Sequence, residues 1–327
     1  MEPAITEQSS VVSEVSNTEV AKPEIGVGTH FFNQRYLYAF ATQGELINHV
    51  RTQTLDARRL SEILALWQTQ QPFVQQLMAA ELGVADQSVL GDLPVELGPR
   101  LREIAADPLM AKSFLHVPIT FALVEIDTLV APQRYVNEDY AAKLKEKYKA
   151  STGLEQLLEI CLSPVREMAP IQHLEVGNNA HVFSSPNLDI RHLGAFLKRL
   201  SSDDLQFAEL GGIPAAAIIS FVGYGANAIN AIRYNGRLVL NNGFHRVYAL
   251  RSLGVTKIPI VVQHVRNPQL EFPGLVCGLP REYLLGAPRP VLMKDFVDDS
   301  LCIALRAKDR VKVVTVQAAV GSHDVPA

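Results

Sequence analysis

The sequence predicts an α/β (α+β) protein in which a mixed-sheet domain follows a mainly helical amino-terminal domain. Three observations lead there. Leu238, Val239 and Leu240 form an apolar run of strand length, and Ile260, Val261 and Val262 form a second. Between them Val247, Leu250 and Leu253 recur every three residues along one helical face, and Gly254 follows as a stop. Upstream, Leu60, Ile63, Leu64 and Trp67 keep the spacing of a helix that buries one stripe.

Taken in order, residues 1–28 mix Glu, Ser, Thr and Val with two prolines and have nothing to pack, so they read as a disordered tail. Phe31, Phe32, Tyr36, Tyr38 and Phe40 then concentrate aromatic side chains, either as a strand or turn packed on the next helices or as a partner-docking segment. Helices are expected over 44–53, 55–70, 72–82 and 94–106, giving a helical domain over 29–113 with a candidate surface for a protein partner. Its Arg58, Arg59, Arg100 and Arg102 stand near carboxylates such as Asp56, Glu62 and Glu103, which favours salt-bridged helix surface over phosphate contacts.

The second domain is expected over 114–266. A strand leads into the loop residues Gln133 and Arg134, and a helix over 136–150 places Tyr140, Leu144 and Tyr148 at spacings of four. An insertion at about 151–222 carries expected helices at 154–162 and 193–200, and a helix start at Ser201, Ser202, Asp203 and Asp204. His173, His181, His192, Glu175 and Asp189 are metal-ligand residue types, but their spacing is not that of a compact ligand set, and no metal site is assigned. Asn235-Gly236 is a two-residue hairpin turn between a strand ending at Tyr234 and Leu238. Residues 267–327 form a Pro-rich extension with a last strand at 311–316.

The chain of 327 residues is 48% hydrophobic, enough for a large core, and its net charge of −4 argues against a basic coat for duplex DNA. Cys161, Cys277 and Cys302 are odd in number and scattered, so no disulfide framework or zinc knuckle is expected and a reducing cytoplasm fits. No apolar run reaches the roughly 18–20 residues that span a bilayer, and no secretory leader precedes the fold, so no membrane partner is expected.

The richest stretch is the turn after Leu240. Gly243 permits a backbone conformation closed to other residues, and the first amides of the following helix have no intrahelical acceptors. An anion fits such a corner, and His245 and Arg246 would add donors on the first turn. A capped helix with Arg246 paired to a carboxylate and His245 packed in the core accounts for the same residues.

Asn242-Gly243-Phe244-His245-Arg246, followed by Tyr248-Ala249-Leu250, Leu253-Gly254 and Ile258-Pro259-Ile260-Val261-Val262, resembles the nucleotide-binding core of the ParB/sulfiredoxin-like superfamily. The run from Phe121 to Leu129, with Pro132-Gln133-Arg134 after it, is similar to the segment that opens ParB amino-terminal domains. The resemblance implies a mixed-sheet fold whose Gly-x-x-Arg turn cradles the phosphates of a nucleoside triphosphate, with or without Mg2+. It makes Asn242, Gly243, Phe244, His245, Arg246, Gln133 and Arg134 the candidate cofactor-binding residues.

The departures from the pattern restrict the chemistry. Sulfiredoxins carry a nucleophilic Cys two residues before the turn Arg; Phe244 stands there, so that activity is excluded. Kinase and nuclease relatives place Asp before the Gly, where Asn242 can neither act as a base nor neutralise a divalent ion. Glu125, Asp127 and Glu138 are the carboxylates that could replace it. No helix-turn-helix pattern follows Val265, which argues against DNA partitioning. Three readings stay open: a ligand-responsive nucleotide-binding module, an NTP hydrolase, phosphotransferase or nuclease, and a scaffold that has lost its ligand.

Overall fold

The structure, a computed structural model, describes residues 30–322 apart from residues 116, 151–152, 165–168, 178–179, 188 and 202–213. The expected tail over 1–28 and the expected helix start at Ser202, Asp203 and Asp204 lie outside the described residues. The chain opens with β1 (Phe31–Tyr36), α1 (Gln43–Gln53), α2 (Leu60–Ala80), α3 (Gly98–Ala106) and α4 (Pro108–Ser113). It continues through β2 (Ile119–Glu125), β3 (Tyr135–Asn137), α5 (Glu138–Tyr148), α6 (Leu154–Leu162), β4 (Gln172–Val176), β5 (Ala180–Ser185), β6 (Arg191–Arg199) and β7 (Ala216–Gly223). Then come β8 (Asn230–Tyr234), β9 (Arg237–Asn242), α7 (Phe244–Ser252), β10 (Lys257–His264) and α8 (Pro268–Glu271). The last elements are β11 (Leu275–Val276), β12 (Leu279–Pro280), α9 (Arg281–Gly286), β13 (Ile303–Lys308) and β14 (Lys312–Gln317). The architecture is mixed α/β, with small and mostly antiparallel sheets.

The central sheet has the order β2-β10-β8-β9, with β10 antiparallel to β2 and parallel to β8. Its hairpin β8–β9 turns on Asn235 and Gly236 at φ of 48° and 85°, the doubly left-handed pair that matches strand twist. Val239, Leu240, Ile260, Val261 and Val262 are buried on both faces of that sheet, which is why the two runs read as unbroken apolar stretches. Helix α7 buries Val247 and Leu250 completely, and Leu253 packs at the margin of the same core.

The amino-terminal segment is mainly helical, and it is also stitched into the rest of the chain. β1 pairs antiparallel with both β13 and β3, so the aromatic stretch is a central strand between one partner about 100 residues downstream and another near the end of the chain. One continuous cluster of buried side chains joins Leu46, Ile63 and Ile104 to Val124, Leu250 and Phe296. Two helices were expected on either side of Pro72; α2 runs through it. Gln68, whose carbonyl loses its helical donor there, is exposed to water, which lowers the cost of the interruption.

Within the insertion, α6 forms where expected, and the helix expected at 193–200 is instead β6, paired antiparallel with β7. Leu193, Phe196 and Leu197 imitate helical spacing, while the ribbon leaves residues of both faces exposed and so shows no period-two burial. The expected last strand is β14, which joins β5 and β4 in a three-stranded sheet. Arg59 pairs with Asp56 and Glu62, and Arg100 with Glu103 and Glu159, as surface ion pairs. Among the described residues no helix is long and apolar enough to cross a membrane.

Candidate functional site

The site is built where β9 gives way to α7. Gly243 caps the helix at φ 95° and ψ 15°, a left-handed conformation that disfavours any residue with a side chain. A Cβ at this position would also lie 2.6 Å from Cγ1 of Ile229, so the glycine is required by a packed neighbour as well as by its backbone. Gly243→Ala is therefore expected to cost about 2–3 kcal/mol in stability from left-handed strain and overpacking. In chemical denaturation, Gly243→Ala combined with Ile229→Ala should lose less than the sum of the single changes. Strict additivity would remove Ile229 from the explanation.

Phe244 is core: its ring is buried edge-on against Phe296 at 5.2 Å, which leaves only its backbone amide to offer a ligand. His245, expected as an added donor on the first turn, carries no positive charge there. Its Nε2 accepts a hydrogen bond from the Asn137 amide at 3.1 Å, its ring meets Tyr140 edge-on at 5.5 Å, and burial pushes its pKa down to about 4. The imidazole is neutral near pH 7 and fastens α7 to the start of α5.

Arg246 is the distinctive group. It is 7% exposed, with Nη1 donating to the Ile160 carbonyl at 3.2 Å and Nη2 to Asn227 Oδ1 at 2.9 Å. Both acceptors are neutral, and among the described residues no carboxylate stands within ion-pairing distance. Desolvation pulls its pKa down, opposed by more distant groups that include Cys161, Tyr148, Tyr140 and Asp189. The Cys161 thiol is pushed up to about 12 by burial and is no nucleophile here. Asn227 and Ile160 were not legible as site residues, because they lie 19 and 86 positions from Arg246 and carry no motif.

Gln133 and Arg134, two other expected ligand residues, are engaged elsewhere. Gln133 donates to the Tyr135 carbonyl at 2.7 Å; Arg134 donates to the Phe40 carbonyl, pairs with Glu45 at 3.6 Å and lies over the Tyr283 ring. Asn242 ends β9 opposite Asn230, where the ladder register shifts.

Each candidate catalytic carboxylate also has a partner. Glu125 pairs with Lys257 at 3.1 Å, four residues before the Val261 that bonds Ile229, and thus roughly 13 Å along the strand from the level of the turn. Asp127 holds Arg251 through two hydrogen bonds of 2.6 and 3.0 Å, at the far end of α7 and roughly 10 Å along its axis. Glu138 alone lies near the turn's end of the helix, where it accepts from the Tyr248 hydroxyl at 2.6 Å and pairs with Lys145 at 3.6 Å. This donor set does not suit Mg2+, which takes one or two free carboxylates besides phosphate and water. Among the described residues no group of three or more His, Cys, Asp or Glu is placed to hold a metal ion.

His245 and His49 make a pH prediction. His49 donates from Nε2 to Gln34 Oε1 at 2.6 Å, stacks on Tyr36, and is likewise pushed down to about 4 by burial. Both folded values lie below the unfolded value near 6.5, so the unfolded chain binds more protons between pH 6.5 and 4. Stability should be full above that window and fall as pH falls through it, by about 1–2 kcal/mol per histidine at pH 5. Denaturation at pH 7.5 and 5 checks this, and His245→Gln should remove part of the slope. A variant that keeps the whole slope would show that His245 does not carry it.

No protein-family model, curated protein or solved structure matches the chain.

Proposed function

We propose that the Gly243 turn and Arg246 form the phosphate-binding corner of a ParB-like, ligand-responsive nucleotide-binding module. The observation that carries this reading is the buried Arg246 guanidinium at the first turn of α7, satisfied only by neutral acceptors. A buried charge without a counter-ion is costly, and an anion at a helix amino terminus supplies the missing charge to both the guanidinium and the free amides. Arg246 also ties the turn to α6 through Ile160 and to the segment before β8 through Asn227. A phosphate that draws the guanidinium outward would weaken both ties, and this gives the module two states with different ligand affinity.

The hydrolase and transferase readings have less support, since Glu125, Asp127 and Glu138 are each held by a cationic or phenolic partner. The structural reading has one observation of its own, the Ile229 side chain that fills the space beside Gly243. A melting panel of nucleoside di- and triphosphates, with and without Mg2+, separates them. Triphosphates are expected to raise the melting temperature, by about 2.7 kcal/mol of stability at a ligand concentration one hundred times Kd. A panel in which no nucleotide shifts the transition overturns the proposal.

A further inference from the structure

Apart from that corner, β4 and β5 bring two histidines together. The register sets His173 opposite Phe183 and Glu175 opposite His181, and residues two apart on a strand share a face, so all four project from one side of the sheet. On the neighbouring strand Val314 and Val316 stand opposite Phe183 and His181 and flank the group with apolar surface. Nε2 of His173 and Nδ1 of His181 are 3.2 Å apart. The His173 ring also stacks on Phe183 at 4.9 Å, which limits its rotation.

The two imidazole nitrogens are joined as N–H···N, with the donor's proton aimed at the acceptor's lone pair; a metal could use the same separation only after the rings turn so that both lone pairs converge on one point. Ligand nitrogens about 2.0–2.1 Å from a tetrahedral zinc ion are about 3.3–3.4 Å from each other, close to the distance already present. We infer that this face binds a late first-row divalent cation, with zinc as the reference ion, through His173 Nε2 and His181 Nδ1. Glu175 is the third ligand, and water completes the shell.

When the ion enters, the proton held between the two facing nitrogens moves to the other nitrogen of its ring, so that both facing nitrogens present lone pairs. The Glu175 side chain has no hydrogen bond or ion pair among the described residues and is free to turn toward the pair. That rotation is needed, because no third ligand is in place beforehand. Imidazole with one carboxylate favours zinc and its neighbours over Mg2+ or Ca2+, which prefer all-oxygen shells.

The test is calorimetric titration of Zn2+ into the full chain prepared without a histidine tag. Wild type should bind one ion per chain, and His173→Ala and His181→Ala should each weaken it by roughly tenfold or more, as expected when one of three protein ligands is lost. Glu175→Gln should weaken it as well. His192→Ala is the control, since that ring bonds Ser220 on the β6–β7 ribbon and should leave binding unchanged. Circular dichroism of the exposed-strand variants shows that the fold is kept. Absence of zinc binding by wild type, or equal affinity in wild type and both histidine variants, overturns the site. Unchanged affinity in Glu175→Gln overturns the assignment of the third ligand.

Discussion

Arg289→Ala is expected to destabilise the protein by about 3–5 kcal/mol, the usual cost of leaving one partner of a buried ion pair alone. The Arg289 side chain is fully buried and makes five hydrogen bonds. Two go to Glu81, two to Asp295 at 2.6 Å each, and one to the Pro290 carbonyl, with the guanidinium 5.3 Å from the centre of the Phe40 ring. Asp295 is itself 2% exposed, and burial pushes its pKa up against the pull of Arg289. Without the guanidinium that carboxylate must either take up a proton or stay charged in the core. Burial also works upward on Glu81, but Lys294 and Arg289 outweigh it and hold Glu81 below the usual carboxylate range. Arg289→Lys should recover little, because an ammonium cannot address two carboxylates with a planar fork. Chemical denaturation measures the loss, and a change under about 1 kcal/mol would show that the network is not a determinant of stability. The same network ties the end of α2 to the segment before β13, so the amino-terminal helices should melt with the sheet in one transition.

What was legible in the sequence is local. Val239, Leu240, Ile260 and Val261 lie in a sheet buried on both sides, and such strands announce themselves as unbroken apolar runs. Asn235-Gly236 fixes its hairpin because few other residues accept two successive positive φ values. What was not legible depends on distant partners. β13 pairs with β1, and Phe31 and Lys308 are brought together by no signal that either segment carries alone. β6 carries no strand signature because a ribbon exposed on both faces has no core to impose alternation. At the candidate site the Gly243 turn and the helix were readable. The neutral state of His245 was not, since it follows from burial and from the Asn137 amide far upstream. Arg134 illustrates the same limit: the family resemblance would set it beside a ligand and its loop setting would leave it in solvent, whereas its partners are the Phe40 carbonyl and Glu45.

Arg246→Ala separates the two meanings of the turn. Were phosphate its purpose, the variant should lose about 1.5–3 kcal/mol of nucleotide affinity, roughly ten- to more than a hundred-fold, because a charge-assisted contact disappears. Stability will not distinguish the cases, since the side chain is buried and its loss frees the Ile160 carbonyl and Asn227 whatever the turn binds. The discriminating quantity is the rise in melting temperature that nucleotide produces, compared between wild type and variant. Arg246→Lys should restore part of that rise, because it keeps a charge but not the fork. Asn227→Ala cuts one tie to Arg246 without touching its charge; it should cost about 1 kcal/mol of stability and leave nucleotide affinity the same or higher. A structural arginine gives the same loss of stability in the variants but no ligand effect, so that nucleotide moves neither the variants nor wild type. A nucleotide-induced rise of equal size in wild type and Arg246→Ala would place any ligand elsewhere and end the case for this corner.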